Sequence, residues 1–316
     1  MLSSWLSAVV ARCRPFSRGA AIAFALLTAA CSAPLPMPPP MDIPHGHGRL
    51  WQVDHPGAPP SYIFGTMHVT DPRVYALPQA VETAFTEADI AIFEVDYRRP
   101  MSLEKRRQYI ELPKGQSLED VIGSSTYRDL RRLIFRHRLP LYNYFREQPW
   151  VSWVALSGRE ISIGQTESPE KPILDDWLIV RARKANREVD FLETAQEQWQ
   201  SFAGIPMDDQ VAMLRSAIET YYDGRLRVDR VAVYVEGNLA LSYALWEHSL
   251  SHLGPVLARQ YTDRLLNERN HRMVERMLPY FERHSAFVAV GALHLPGEEG
   301  VLRLLEQRGY TLTRLQ

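Results

Sequence analysis

The chain has 316 residues, 46% hydrophobic and 23% charged, the proportions of a globular protein. Its formal net charge is −1, so there is no basic field and nucleic acid is excluded as a partner. Both cysteines, Cys13 and Cys31, precede the expected domain, which excludes a cysteine nucleophile, a cysteine-built zinc site and a disulfide within it.

The N-terminus reads as an export signal. Arg12, Arg14 and Arg18 form a positive region, and Ala20 to Ala30 (AAIAFALLTAA) is an apolar core too short to span a bilayer comfortably. The core ends at Ala29-Ala30-Cys31, similar to a bacterial lipoprotein signal, in which cleavage leaves a lipidated cysteine at the new N-terminus. Thr28 stands where leucine is usual, with Leu27 one place early. Residues 1–30 are therefore assigned to a signal peptide, and 31–48 to a lipidated Cys31 and a proline-rich tether, SAPLPMPPPMDIP from Ser32 to Pro44. Ser32 after the cysteine, not aspartate, follows the pattern of outer-membrane sorting. The expectation is an exported, periplasmic protein, lipid-anchored to the outer membrane of a Gram-negative bacterium. No later run is long and apolar enough to span a membrane.

Residues 49–316 are expected to form one α/β domain around a central sheet. Tyr62 to Phe64 is a short strand ending at Gly65, Pro78 to Ala88 a helix with one apolar face, and Ile90 to Val95 (IAIFEV) a strand buried on both faces. Strand, helix and strand in this order predict a right-handed parallel unit. The middle, Ser102 to Trp246, has mostly helical spacing, over Ser117 to Ile122, Tyr127 to Arg138, Ile173 to Ala185 and Met207 to Tyr222, interrupted by a strand at Glu188 to Leu192. A long helix is predicted over Thr262 to Phe281, a strand over Ala286 to Val290, a helix over Gly300 to Gln307 and a last strand over Thr311 to Leu315. Strand-Gly-x-x-His occurs twice, at Gly65 to His68 (GTMH) and Gly291 to His294 (GALH). The expected architecture is two pseudo-related strand-GxxH-helix-strand halves framing a helical middle region.

Several predicted strands end in polar groups: His68, Glu94 with Asp96, Glu193 and His294. Open α/β sheets build their sites beyond the carboxyl ends of strands. A carboxylate buried there costs several kcal/mol unless it is paired, about what a retained site would justify. Glu94 and Asp96, two residues apart, point to one side of their strand. Each Gly-x-x-His is read as a tight turn at glycine that presents an imidazole. Arg269 and Asn270 interrupt the apolar stripe of Leu266, Met273 and Met277, and an arginine on that face needs a carboxylate or an anion. The nucleophile-elbow, phosphate-loop and dinucleotide fingerprints are all missing from the sequence.

These residues together resemble the TraB/GumN family, which is related to the Tiki metalloproteases and more distantly to erythromycin esterase and the haem-binding lipoprotein ChaN. The matching stretches are YIFGTMHVTDPRVYALP (Tyr62 to Pro78), IFEVD (Ile92 to Asp96), ILDDWL and FLETAQEQW (between Ile173 and Trp199), LLNERNHRM (Leu265 to Met273) and VAVGALHLPGEEGVLRLLEQRGY (Val288 to Tyr310). Arg98 to Glu170 is less typical, with more aromatic residues. The resemblance implies an α/β domain of duplicated character and a site in which His68, His294 and Glu94 hold a divalent metal. Glu94, Glu193 and Arg269 would carry the catalysis. Manganese or cobalt is implied, and zinc or iron also suits imidazole and carboxylate ligands. The expected function is a metal-dependent hydrolase of the envelope, a peptidase by analogy, acting on a peptide or small-molecule substrate and held to the membrane by its lipid. The alternatives are a haem- or metal-binding lipoprotein and a catalytically inert envelope scaffold. In either hydrolytic version a water must be activated, by a bound ion or directly by His68 with Glu94 orienting it.

Overall fold

The computed structural model of the chain describes residues 38–95, 102–137, 145–161, 172–223 and 228–316. Cys13, Cys31, Asp96 and most of the tether lie outside them. Among the described residues, six strands form one mixed sheet: β1 (Leu50–Asp54), β2 (Ser61–Thr66), β3 (Ile90–Val95), β4 (Glu188–Glu193), β5 (Ala286–Gly291) and β6 (Thr311–Arg314). Their order across the sheet is β4-β3-β5-β2-β1-β6. The pairs β2–β5, β3–β5 and β3–β4 are parallel, and β1 is antiparallel to both β2 and β6. The central strands β3 and β5 are buried almost throughout, because helices cover both faces of a parallel sheet.

The predicted elements appear with shifts of a few residues. The helix after β2 is α1 (Gln79–Glu87), and the middle contains α2 (Leu103–Ile110), α3 (Leu118–Ile122), α4 (Ser124–His137), α5 (Pro149–Ile161), α6 (Leu174–Lys184), α7 (Ala195–Ala203), α8 (Met207–Asp223), α9 (Arg230–Val235) and α10 (Leu239–Leu250). β1 was not expected. It closes the gap between β2 and β6, and so it decides how the chain end joins the sheet. β2 and β3 are parallel as expected, but β5 lies between them. The helix predicted from Thr262 to Phe281 is in fact α11 (Gly254–Thr262), a π-helical turn over Asp263–Asn267, and α12 (Glu268–Phe281). Within the turn Glu268 N–H reaches back five residues to Asp263 O.

β2–α1–β3 and β5–α13–β6, where α13 is Val301–Glu306, share the order strand, Gly-x-x-His, helix, strand. Their crossovers differ. The first skips one strand and the second skips two. The last residues assigned to the tether also differ from expectation, since Pro44 to Gly48 pack on the domain. Pro44 O accepts from Gly297 N–H, Gly46 O from Ala240 N–H, and Gly48 N–H donates to Gly237 O.

Among the described residues, two large cores and a small cluster of Val233, Leu241 and Leu245 hold the domain. One large core flanks the sheet, where Ile92, Phe93, Phe287 and Val288 cluster with Leu178 of α6, Met273 and Met277 of α12, and Leu304 of α13. The other joins the middle helices through Leu118, Leu130, Leu133, Leu156 and Leu214. The parallel register brings Thr66 level with Gly291 and Val95 level with Glu193. The carboxyl ends of β2, β3, β4 and β5 therefore share one edge.

The motif glycines do not make tight turns, because neither has a positive φ. Gly65 is needed for close approach: a Cβ there would lie 2.8 Å from Leu295 Cδ1 and 3.1 Å from Ala292 Cα. At Gly291 the nearest atoms to a Cβ are 3.4 Å away, an ordinary contact. Gly65→Ala is expected to cost about 1–3 kcal/mol in urea unfolding, the range for overpacking, and Gly291→Ala distinctly less. Equal losses would contradict this account of the two glycines.

Candidate active site

Three buried charges meet at this edge. Glu94 ends β3, Glu193 ends β4, and Arg269 enters from the first turn of α12; they are 3%, 3% and 4% exposed. Arg269 Nη2 donates to Glu94 Oε1 at 2.5 Å and to Glu193 Oε2 at 2.6 Å, while its Nε donates to the same Glu193 oxygen at 2.9 Å. Its Nη1 is satisfied by Leu265 O at 3.1 Å, within the π-helical turn. The second oxygen of Glu193 accepts from Arg272. Gln198 of α7 donates to Glu94 Oε1 at 2.8 Å. α7 begins at a capping box made by Thr194 and Glu197, and Arg276 clamps Glu197, which fixes α7 beside α12.

Burial alone would raise the Glu94 pKa. Arg269, then His294 and His68, and the Gly291 N–H outweigh it and hold the carboxyl well below the usual range. Arg269 is held well above its own ordinary value: burial opposes its charge, but Glu94 and Glu193 prevail.

His294 stands in the short 3-10 turn after β5, 4% exposed. Its Nδ1 lies 2.6 Å from Asn270 Oδ1, and Asn270 Nδ2 donates to Glu299 O at 2.7 Å. That carbonyl can only accept, so the amide orientation is fixed and its oxygen faces the imidazole. His294 therefore carries its proton on Nδ1 and turns an unprotonated Nε2 toward Glu94 Oε2, 4.0 Å away. The same Oε2 accepts from Gly291 N–H at 3.0 Å. Burial and the neighbouring Arg269 push the His294 pKa down to about 3, against the pull of Glu94.

His68 is placed differently. It follows β2 at a tight turn, where Val69 N–H donates to Met67 O across it at 2.8 Å, and its side chain is 42% exposed. Its Nε2 lies 3.4 Å from Asp175 Oδ1, which also accepts from Thr66 Oγ1 at 2.8 Å. Partial burial disfavours the charged imidazole, but Asp175 and Glu94 outweigh it and lift the pKa to about 9. Asp175, in the first turn of α6, is buried, and its Oδ2 has no hydrogen-bond partner among the described residues. His68 and His294 both interact electrostatically with Glu94 and Arg269, so both Gly-x-x-His histidines lie near the buried charges.

Residue motifs did not single out Asp175, Gln198, Thr66 or Arg272. Asp175 and Asp176 together look like ordinary acidic residues of a helix first turn. Gln198 looks like a solvent-facing helix residue. Asn270 stood out only as a break in an apolar stripe, and its role depends on a contact with Glu299, far along the chain.

The model of the TraB/PrgY/gumN family matches residues 49–314. The chain belongs to this family. Among curated proteins it is similar to metalloprotease TIKI2 of Danio rerio and metalloprotease TIKI1 of Homo sapiens, each 26% identical over 312 residues, covering 83% of this chain and 60% of the relative. It is also similar to the metalloprotease TIKI homolog of Nematostella vectensis, at 22% identity over 83% of this chain and 65% of that protein. The chain thus spans about three-fifths of the length of these relatives. No solved structure matches it.

Relatives of that name raise the question of an ion. Among the described residues, no three histidine, cysteine, aspartate or glutamate side chains converge into a group that would hold one. The His294–Glu94 pair nevertheless fits by donor chemistry. It offers an unprotonated imidazole nitrogen and a carboxylate oxygen, both buried and both held from behind.

Arg269→Ala leaves Glu94 and Glu193 buried with Arg272 as the remaining cation on Glu193. It is expected to destabilise the domain by about 3–5 kcal/mol in urea unfolding, the cost of breaking a buried pair. Arg269→Lys keeps the charge but cannot reach Glu94, Glu193 and Leu265 O together as the planar guanidinium does, so its loss should be intermediate. A loss below about 1 kcal/mol for the alanine variant would contradict the reading.

Proposed function

We propose that this chain is a metal-dependent hydrolase of the bacterial envelope acting on peptides. One observation carries the reading: the buried His294 Nε2 and Glu94 Oε2 face each other 4.0 Å apart, each oriented by a dedicated hydrogen bond. The support for a peptidase is the family and the chain's similarity to the Tiki metalloproteases. Manganese and cobalt lead by resemblance, with zinc and iron also compatible with these donors.

His294 and Glu94 would hold the ion, which when bound lowers the pKa of a water and polarises a scissile carbonyl. Everything else falls to the chain's own residues. Asn270 keeps the His294 proton on Nδ1, so Nε2 remains a donor of its lone pair. Arg269 and Gln198 occupy Glu94 Oε1, leaving Oε2 to the Gly291 N–H and the side facing His294. Glu193 neutralises Arg269 and stops it drawing the whole charge of Glu94. His68, expected from the sequence as a ligand, is assigned a proton-transfer role instead. It is exposed, charged at neutral pH and backed by Asp175, whereas a ligand nitrogen must be free of its proton. From there it can hand a proton to a departing amine. The location is part of the proposal: export by residues 1–30 and a lipid on Cys31 would place the domain in the periplasm at the outer membrane, where peptide substrates are met.

The test is cleavage of a peptide library by purified protein before and after chelation, with divalent ions added back, alongside Glu94→Gln and His294→Ala. Loss on chelation, recovery with manganese or cobalt, and at least hundredfold lower rates in both variants are expected, on the order of a lost catalytic group. Full activity after chelation would remove the ion from the mechanism. Wild-type rates in both variants would remove the site. A Soret band in the absorbance of the purified protein would favour the haem-binding alternative.

A further inference from the structure

Helix α4 carries a face that the site does not use. Leu130, Leu133 and Ile134 are buried in the helical core, while Arg128, Arg131, Arg132, Phe135 and Arg136 are all exposed. Those five positions are spaced i, i+3, i+4, i+7 and i+8, so they form one continuous stripe. Phe135 is 66% exposed toward the C-terminal end of it, and the Arg131 guanidinium lies 5.9 Å from its ring centroid. Arg132 has Asp129 at 3.3 Å. Arg128, Arg131 and Arg136 have no ion-pair partner among the described residues, and Glu119 is the acidic group bordering the stripe.

A single exposed phenylalanine needs no explanation, and neither does a scatter of surface arginines. The combination is more specific. The formal charge of the whole chain is −1, so this stripe is a local concentration of positive charge and not part of a general excess. Guanidinium groups around one outward aromatic ring match a surface with anionic phosphates above and an apolar layer below. A polyanion without that layer would use the arginines and leave the ring in water. An acidic protein would need its own pocket for the ring.

We propose that this face of α4 docks on an anionic lipid bilayer, with the arginines on headgroup phosphates and Phe135 inserted at the acyl boundary. The contact is independent of the hydrolase reading and of the lipid on Cys31. It would hold the domain in one orientation against the membrane.

The test uses the full chain with Cys13→Ser, Cys31→Ser and Phe135→Cys, labelled at position 135 with an environment-sensitive fluorophore. Vesicles of phosphatidylcholine alone are compared with vesicles containing phosphatidylglycerol. The label is expected to shift to the blue on the anionic vesicles only, and to return toward its solvent spectrum in high salt. Replacing Arg128, Arg131 and Arg136 together by Gln, at unchanged circular dichroism, should weaken this transfer at least tenfold, since each arginine near an anionic surface contributes about fivefold. Three outcomes would overturn the proposal: a label that stays in water on anionic vesicles, an equal shift on neutral ones, or a shift that survives loss of the three arginines. Saturable binding of a DNA oligonucleotide or an acidic peptide to this face, without response to vesicles, would assign it to another polyanion and overturn it too.

Discussion

Two carboxylates in the dry interior of a sheet edge repel each other and lose their hydration, and one guanidinium between them answers both problems. Arg269 bridges Glu94 and Glu193 with three hydrogen bonds, so β3, β4 and α12 must meet at one point. Such a triad is weak evidence for stability in itself, because apolar residues of equal volume often do as well. Its presence here makes sense as a means of keeping Glu94 ionised and still while its second oxygen stays turned toward His294. The π-helical turn over Asp263–Asn267 belongs to the same device. It supplies Leu265 O to Arg269 Nη1, and from the helix that follows it Arg269 turns to the carboxylates and Asn270 to His294.

The two histidines show how one short motif can stand in two different settings. Each follows a strand of the parallel pair β2–β5, so the sheet places both at the same edge. What differs is the backing. An amide oxygen behind His294 and burial around it keep that ring neutral, whereas a carboxylate behind the exposed His68 keeps that ring charged. The likeness of the two halves in sequence therefore does not extend to equal chemistry.

The strand ends were legible because buried parallel strands read as apolar runs, and a glutamate or a Gly-x-x-His at the end of such a run is conspicuous. Arg269 was legible for the same reason, as a charge on an apolar helix stripe. The insertion of β5 between β2 and β3 was not, since pairing between segments some two hundred residues apart leaves no local trace. β1, a five-residue strand of mixed polarity, carried too short an alternation to stand out. Asp175 and Gln198 matter only through what they touch, Asp175 beside Thr66 and His68, Gln198 beside Glu94, and those contacts exist only once α6 and α7 have packed on the sheet. The family resemblance drew both histidines into one metal set. The geometry separates them by exposure and by the groups behind them.

The most direct measurement is diffraction from crystals soaked in manganese, with data collected at a wavelength where manganese scatters anomalously. The account predicts one strong anomalous peak within coordination distance of both His294 Nε2 and Glu94 Oε2, absent from crystals of His294→Ala. A fully occupied peak elsewhere in the domain, with this pair left unliganded, would contradict it.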